Sequence, residues 1–426
     1  MENKKVILSI SYGNYTLGLG GTDKVILAHQ KMFNNVGYKY IFIFPIHSIG
    51  KKVKLKTQNE WGIIEDGKFN SIKSTGFLIL WLSKQFEKLK EIHVHHLMGI
   101  SLVELNKILG ASTATIRLFL HDYYTICENY NLLYNDSIFC GIGRPSEKKC
   151  VGCNYYAMTA KRKINSDFLE RLVAVASSET AKDIWCKSYP EFQNIVNVVP
   201  HQTLSGQYKG NIRQIESNDR IRLAFVGGGV PIKGYEQWKK IINETSKTNM
   251  YEFYHFGYTS EPFEGEVVVD VDFKKDLNAM VNALRNYKID CALLWSIWPE
   301  TYAYTYYECL ASNVFVITNV QSGNICKQIE KKRDGLVFES DLGLYEFFEN
   351  WDLVRSSINK AKRLWTYGPE KLEENRVIIN LTEQSVDSKI EKKGITKERV
   401  KSNSKDFILS ILYTGSLLKD KIKKTR

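Results

Sequence analysis

The stretch Trp298-Pro-Glu-Thr-Tyr-Ala-Tyr-Thr-Tyr-Tyr-Glu-Cys-Leu-Ala-Ser-Asn313 carries two carboxylates eight residues apart, Glu300 and Glu308. On one continuous helix they would stand about 80° out of register and ~12 Å apart. Pro299 suits the loop just before a helix start, and Glu300 then lies where the helix dipole favours a carboxylate. With Glu308 one or two turns into the helix, both acids can face one ligand. Apolar runs flank the pair, Asp290-Cys-Ala-Leu-Leu-Trp-Ser296 before it and Val314-Phe-Val-Ile-Thr318 after it, and both read as buried parallel strands. Open α/β sheets bind ligands at the carboxyl edge of such strands. The same spacing also describes an ordinary surface helix behind an exposed loop acid, so the rest of the chain must supply matching parts.

Three more glycine-bearing loops follow apolar runs. Gly227-Gly-Gly-Val-Pro-Ile-Lys-Gly234 lies between a strand and a helix. Gly228 and Gly229 let backbone approach a phosphate, the helix N-terminus adds amide donors, and Lys233 adds a point charge. It lacks the Gly-Lys-Ser/Thr ending of a phosphate-loop NTPase. Ser322-Gly323-Asn324 is a second such turn, with Asn324 a residue that tolerates left-handed backbone. Gly20-Gly21-Thr22, ahead of the first helix, is the third. His121-Asp122 closes another strand, where a histidine is more often structural than functional. His93 and His95 share one strand face and His96 takes the other; none is given a catalytic role.

Cys127, Cys140, Cys150 and Cys153 fall in one window, while Cys186, Cys291, Cys309 and Cys326 are scattered and read as small buried hydrophobes. Cys150-x2-Cys153 has chelating spacing, and the other two thiols could complete a structural zinc site. An iron–sulfur cluster and four reduced thiols remain the alternatives. Four thiolates leave no open position, so no catalytic metal is expected there. Asp270-Val-Asp272 has metal-binding spacing but reads as a surface strand end.

These residues need elements to position them. At 426 residues, two domains are the natural division, and 43% hydrophobic content suffices for packed cores. Strand-like and helix-like segments alternate from Val6 to Val199, interrupted by a cysteine-bearing insertion at 123–165. The polar stretch Gln202–Asp219 reads as a linker, a second alternation runs from Arg222 to Phe338, and helices are expected over most of 342–379. The expected fold is α/β: two doubly wound Rossmann-like domains facing across a cleft. Residues 1–202 form the first domain and 203–365 the second. Residues 366–426 return to the first and end in a basic tail. Lys389–Arg426 holds 12 Lys and Arg against 4 Asp and Glu, a net +8 of the chain's +12. The charge thus describes a tail, and nucleic acid is not an expected partner. Phe407, Ile411, Leu418 and Ile422 share one helical face there. That face suits either an anionic lipid surface or packing against the body. The amino terminus lacks the apolar segment of a signal peptide, and no run nears the ~20 apolar residues of a membrane span, so a cytoplasmic protein is expected, with peripheral membrane contact through the tail.

Taken in order, the Glu300–Thr318 segment, the Gly227–Gly234 loop, Ser322-Gly-Asn324, Gly20-Gly21-Thr22 and His121-Asp122 resemble the motifs of family-4 retaining glycosyltransferases, which have the GT-B fold. The resemblance spans roughly residues 4 to 380. It implies transfer of a sugar from a nucleotide diphosphate sugar to a glycan or lipid-linked acceptor, with retention, in surface polysaccharide or glycolipid assembly. Carried over by position, His121 would contact the transferred sugar, Glu300 its hydroxyls and Glu308 the ribose, while Lys233 and the amides around Gly20, Gly21, Gly228, Gly229, Gly323 and Asn324 would hold the diphosphate. The family's usual Arg after the strand is replaced by Gly228 or Gly229, which leaves charge neutralisation to Lys233. A subset of the family has cysteines after a similar His-Asp segment. Readings from other classes are a nucleotide-sugar epimerase or phosphorylase on the same architecture, and a non-enzymatic module whose tail grips membrane or nucleic acid.

Overall fold

The structure, a computed structural model, describes residues 4–18, 20–49, 53–54, 59–157, 171–206, 213–332, 334–364 and 371–385. The basic tail, with its amphipathic face at 407–422, lies outside the described residues.

Eight strands build the first sheet: β1 (Val6–Ile10), β2 (Lys39–Pro45), β3 (Glu60–Glu65), β4 (Lys68–Ser74), β5 (Leu89–Val94), β6 (Thr115–Leu120), β7 (Leu172–Ala176) and β8 (Val196–Val198). Their order is β8-β7-β6-β5-β1-β2-β3-β4. Pairing is parallel from β8 to β2, and the β3–β4 hairpin adds an antiparallel edge. Strand order reverses between β1 and β5, which makes that point a crevice at the carboxyl edge. Helix α1 (Gly21–Asn35) follows β1 and packs Ile26 and Phe33 onto the sheet.

Six strands, all parallel, form the second sheet: β9 (Ile221–Val226), β10 (Tyr251–Phe256), β11 (Glu266–Val269), β12 (Cys291–Leu293), β13 (Phe315–Asn319) and β14 (Gly335–Phe338). The order β11-β10-β9-β12-β13-β14 is doubly wound, with its reversal between β9 and β12. One face buries Phe225, Trp238 and Leu293, with Trp238 supplied by helix α2 (Tyr235–Thr245). The other buries Val226, Val316 and Tyr306, with Tyr306 supplied by helix α3 (Tyr304–Ala311). Each such large side chain contributes about 1.5–3 kcal/mol.

Two segments differ from the sequence expectation. Lys371–Glu374, expected to be helical, is a strand paired antiparallel with Gln202–Ser205, the start of the expected linker. Helix α5 (Val377–Glu383) then sets Ile378 and Ile379 among the first sheet's core residues. The strand that carries His93 runs from Leu89 to Val94, and its start holds the buried Lys90 and Glu91 because both find partners within the fold.

The β11 edge holds a buried acid with many donors. Glu266 accepts from Tyr235 Oη (2.6 Å), Trp238 Nε1 (2.6 Å) and the Phe263 amide (3.0 Å), with His255 Nδ1 at 3.4 Å. Burial raises its pKa, but these donors outweigh that and hold it at about 2, against an ordinary 4.5. A depressed carboxylate stabilises the fold above its ordinary value, and that stability is lost as pH falls from about 4.5 through about 2. Thermal midpoints measured across this window are expected to fall more steeply for wild type than for Glu266→Gln. Parallel profiles would dismiss the effect.

Candidate active site

Loops at the carboxyl edge of the first sheet touch the loop at the second sheet's reversal. The Thr301 hydroxyl donates to His121 O, Ser177 Oγ donates to Thr301 O at 3.2 Å, and Tyr123 Oη donates to Pro299 O at 3.0 Å. These bonds join the residues after β6 and β7 to the loop after β12. Trp298 packs with Leu120, Tyr123 and Ile126 in one cluster.

Glu300 lies at this seam, buried, and accepts hydrogen bonds from Lys233 Nζ and Ser296 Oγ. Lys233 ends the short turn Pro231–Lys233 after β9, and its ammonium sits 5.4 Å from the centre of the Trp298 ring. The Gly-rich loop after β9 and the acidic loop after β12 therefore meet at the second sheet's reversal, where a ligand is expected in such sheets. Amides of Gly227 and Gly229 are engaged by Phe256 O (2.9 Å) and Tyr258 O (2.8 Å), so the expectation that Gly229 N–H meets phosphate needs correction. Among the described residues the Gly228 N–H has no hydrogen-bond partner, and a Cβ added there would meet open space.

Glu308, on α3, is also buried but turns toward the first sheet. Lys24 Nζ, from the first turn of α1, donates to Glu308 Oε1 at 2.6 Å and lies 4.4 Å from the centre of the Tyr304 ring. Glu374 is close enough that Lys24 lowers and Glu308 raises its pKa, although burial is the larger cause of its upward shift. Sequence reading missed Lys24. Its only signal is a position four residues after Gly20, since its partner is 284 residues away.

Gly20 is the extended residue before α1, and its amide donates to Asp23 Oδ2 at 3.0 Å. Burial raises the Asp23 carboxyl to about 6 despite that bond. A Cβ on Gly21 would come 3.8 Å from Tyr304, so this loop faces α3. The Ser322-Gly-Asn324 turn also abuts Glu300, but the residue roles differ from expectation. Gly323 is left-handed (φ +61°), while Asn324 begins helix α4 (Asn324–Lys332) and its amide donates to Glu300 O at 3.0 Å. An added Cβ at Gly323 would lie 2.6 Å from Glu300 N. Gly323→Ala is therefore expected to lose at least about 1 kcal/mol from backbone strain alone and to displace Glu300. Gly228→Ala should keep wild-type stability within about 0.5 kcal/mol. Its methyl nevertheless projects into the space expected for phosphate, so nucleotide affinity should fall. Parallel thermal and ligand titrations check the contrast.

His121 follows β6 and is half-buried. Its Nε2 is 2.8 Å from His95 Nδ1, its ring stacks on Phe119 and His95, and His201 lies 5.2 Å away, centre to centre. Burial pushes its pKa down to about 4, so it is neutral at neutral pH. His96 pairs with Asp122 at 2.8 Å. Trp298 Nε1 and Tyr304 Oη are buried without hydrogen-bond partners at the same seam.

Within the cysteine-bearing insertion, Cys150 and Cys153 share one turn, with Cys153 N donating to Cys150 O at 3.0 Å. Cys140 Sγ donates to Leu132 O at 2.9 Å. Burial raises the Cys140 pKa and the nearby Cys127 and Cys150 raise it further, which puts these thiols in one neighbourhood.

No family model matches the chain, and no characterised protein matches it by sequence. Likeness is found among solved structures. Sucrose-phosphate synthase from Thermosynechococcus elongatus matches with a TM-score of 0.52 at 12% identity, over 85% of this chain and 94% of that one. A glycosyltransferase from Rickettsia africae gives 0.52 at 13%, over 86% and 93%. The catalytic domain of starch synthase IV from Arabidopsis thaliana, solved with ADP and acarbose, gives 0.50 at 12%, over 97% and 99%. At such identities the likeness establishes architecture: the chain has the α/β GT-B fold. No helix among the described residues is long and apolar enough to cross a membrane.

Proposed function

We propose that the chain is a retaining glycosyltransferase that moves a sugar from a nucleotide diphosphate sugar to a glycan or lipid-linked acceptor in surface polysaccharide or glycolipid synthesis. The observation that carries this reading is the Lys233–Glu300 contact between the two loops at the second sheet's reversal, with His121 bonded through Thr301 to the loop that holds Glu300. The ADP in the starch synthase structure is the class of ligand this loop set suits. In this reading residues 1–202 serve the acceptor, 203–365 hold the donor, and the segment from 366 returns to the first domain. The chain acts from the cytoplasmic side, with tail contact to the membrane.

The roles are those the family resemblance implies. Lys233 and the Gly228 amide stabilise charge on the leaving diphosphate, where a water-poor site makes them most effective. Glu300 accepts from donor-sugar hydroxyls and Glu308 from the ribose. Neutral His121 offers or accepts a hydrogen bond at the transferred sugar. The insertion clips the acceptor side; among the described residues its four thiols do not converge within ligand distance, so a structural zinc there would have to draw them together.

A thermal-shift panel of UDP, GDP, ADP and their sugars tests the assignment. One nucleotide sugar is expected to stabilise wild type and to act more weakly on Gly228→Ala. Flat responses from every nucleotide on the folded wild type would overturn the reading.

A further inference from the structure

Beneath His121, at the first sheet's reversal, three histidines converge. His93 lies one residue before the end of β5 and His95 just beyond it, two residues on, while α1 lays His29 against both. All three are buried. One ring nitrogen from each lies within 4.8 Å of one from each of the others. Each ring also has one buried nitrogen without a hydrogen-bond partner: Nδ1 of His29, Nδ1 of His93 and Nε2 of His95.

The bonded nitrogens say what the unbonded ones are. His93 Nε2 is 3.0 Å from Glu91 Oε2. Arg117 takes both oxygens of Glu91, and Thr382 Oγ1 donates to Oε2 at 2.9 Å. An ionised carboxylate only accepts, so His93 Nε2 carries the proton and Nδ1 is a bare lone pair. Burial lowers the pKa of all three imidazoles, so they stand as neutral bases. A buried lone pair on His93 Nδ1, with unpartnered ring nitrogens on the neighbouring His29 and His95, is costly as a purely structural device.

We propose that His29, His93 and His95 form a buried binding site for a borderline divalent cation, zinc first among them. Neutral imidazole is the ligand such ions prefer, and three histidines are an established donor set. With Zn–N near 2.0–2.1 Å, tetrahedral ligand nitrogens stand about 3.3 Å apart, so modest closure of the triad suffices. Glu91 supplies the outer carboxylate that orients a ligating imidazole. A metal on His95 Nε2 also leaves the His95 proton on Nδ1, which then donates to His121 Nε2. His121 must in turn carry its own proton on Nδ1. The site thus selects one His121 tautomer. Its ligands are defined by the first sheet alone and do not depend on the sugar-transfer reading.

The test uses the full chain with cobalt(II) and zinc(II), and removes the competing thiols with Cys150→Ser/Cys153→Ser. That variant is expected to take up one cobalt per triad, giving visible d–d bands without a thiolate charge-transfer band. Adding His29→Gln should weaken this uptake by more than about 10-fold, the least that even outer-ligand changes cost. Its metal-free thermal midpoint should match that of its parent. If His29→Gln does not fold, nitrogen NMR of the Cys150→Ser/Cys153→Ser chain decides: zinc should shift the imidazoles of His29, His93 and His95 and fix the His121 tautomer. Absence of thiol-independent uptake, uptake indifferent to His29→Gln, or unmoved imidazoles overturns the proposal.

Discussion

Glu308→Ala is expected to lower stability by about 3 kcal/mol, the lower end of the range for removing one partner of a buried ion pair. Both side chains of the Lys24–Glu308 pair are only 6% exposed, so the remaining lysine cannot reach bulk water. Its ammonium keeps the Tyr304 ring at 4.4 Å, worth on the order of 1 kcal/mol, and Glu374 stands close enough to take part of the charge. These two neighbours place the loss at the lower end. The double variant Lys24→Met/Glu308→Gln should recover most of the stability, because uncharged groups of similar size often replace a buried pair without loss. Recovery separates two roles that a single variant confuses. If Glu308 also holds the ribose, the stable double variant stays unresponsive to nucleotide sugar in thermal titration. A restored response there would remove Glu308 from the donor site and leave it as a tie between α1 and α3.

What could be read from the chain was mostly local. β9 to β14 alternate with helices except between β10 and β11, much as apolar runs and glycine loops announce, but the helix carrying Glu308 starts only at Tyr304, five residues after Pro299, which leaves Glu300 on the loop. The reversal between β9 and β12 could not be read, since strand order depends on crossovers and not on any one segment. Lys371-Leu-Glu-Glu374 has a helix former's composition, yet pairing with Gln202–Ser205 makes it a strand, so tertiary contact overrides propensity. Nothing local marks the charged Lys90 and Glu91 as part of a buried strand, because their partners, the Ser385 carbonyl and Arg117, are far away in the chain. The same limit hid Lys24 and His29. His93 and His95 announce a shared face by alternation, but nothing nearby says that a histidine from α1 will complete it.

Lys233→Ala is expected to lower transfer by about 10²–10³-fold, the loss typical of removing one charge-stabilising donor from a reacting centre. Stability should hardly move, because the Lys233 side chain is 37% exposed and a pair this open contributes at most about 1 kcal/mol. Exposure also lets the ammonium leave Glu300 for an arriving diphosphate, with Ser296 Oγ still bonded to the carboxylate. Two accounts of the Lys233–Glu300 contact then give different data. If Lys233 only holds Glu300 in place, Lys233→Ala and Glu300→Gln should share one phenotype, and the double variant should add nothing. If Lys233 meets the diphosphate, its loss should weaken nucleotide binding whether or not a sugar is attached. Wild-type affinity should then fall with salt more steeply than that of Lys233→Ala. Glu300→Gln should instead spare the bare nucleotide and weaken only the nucleotide sugar, since its expected partners are sugar hydroxyls. Calorimetric titration of nucleotide and nucleotide sugar into the three variants separates these cases. Equal affinity for bare nucleotide in wild type and Lys233→Ala would take the lysine out of the donor site.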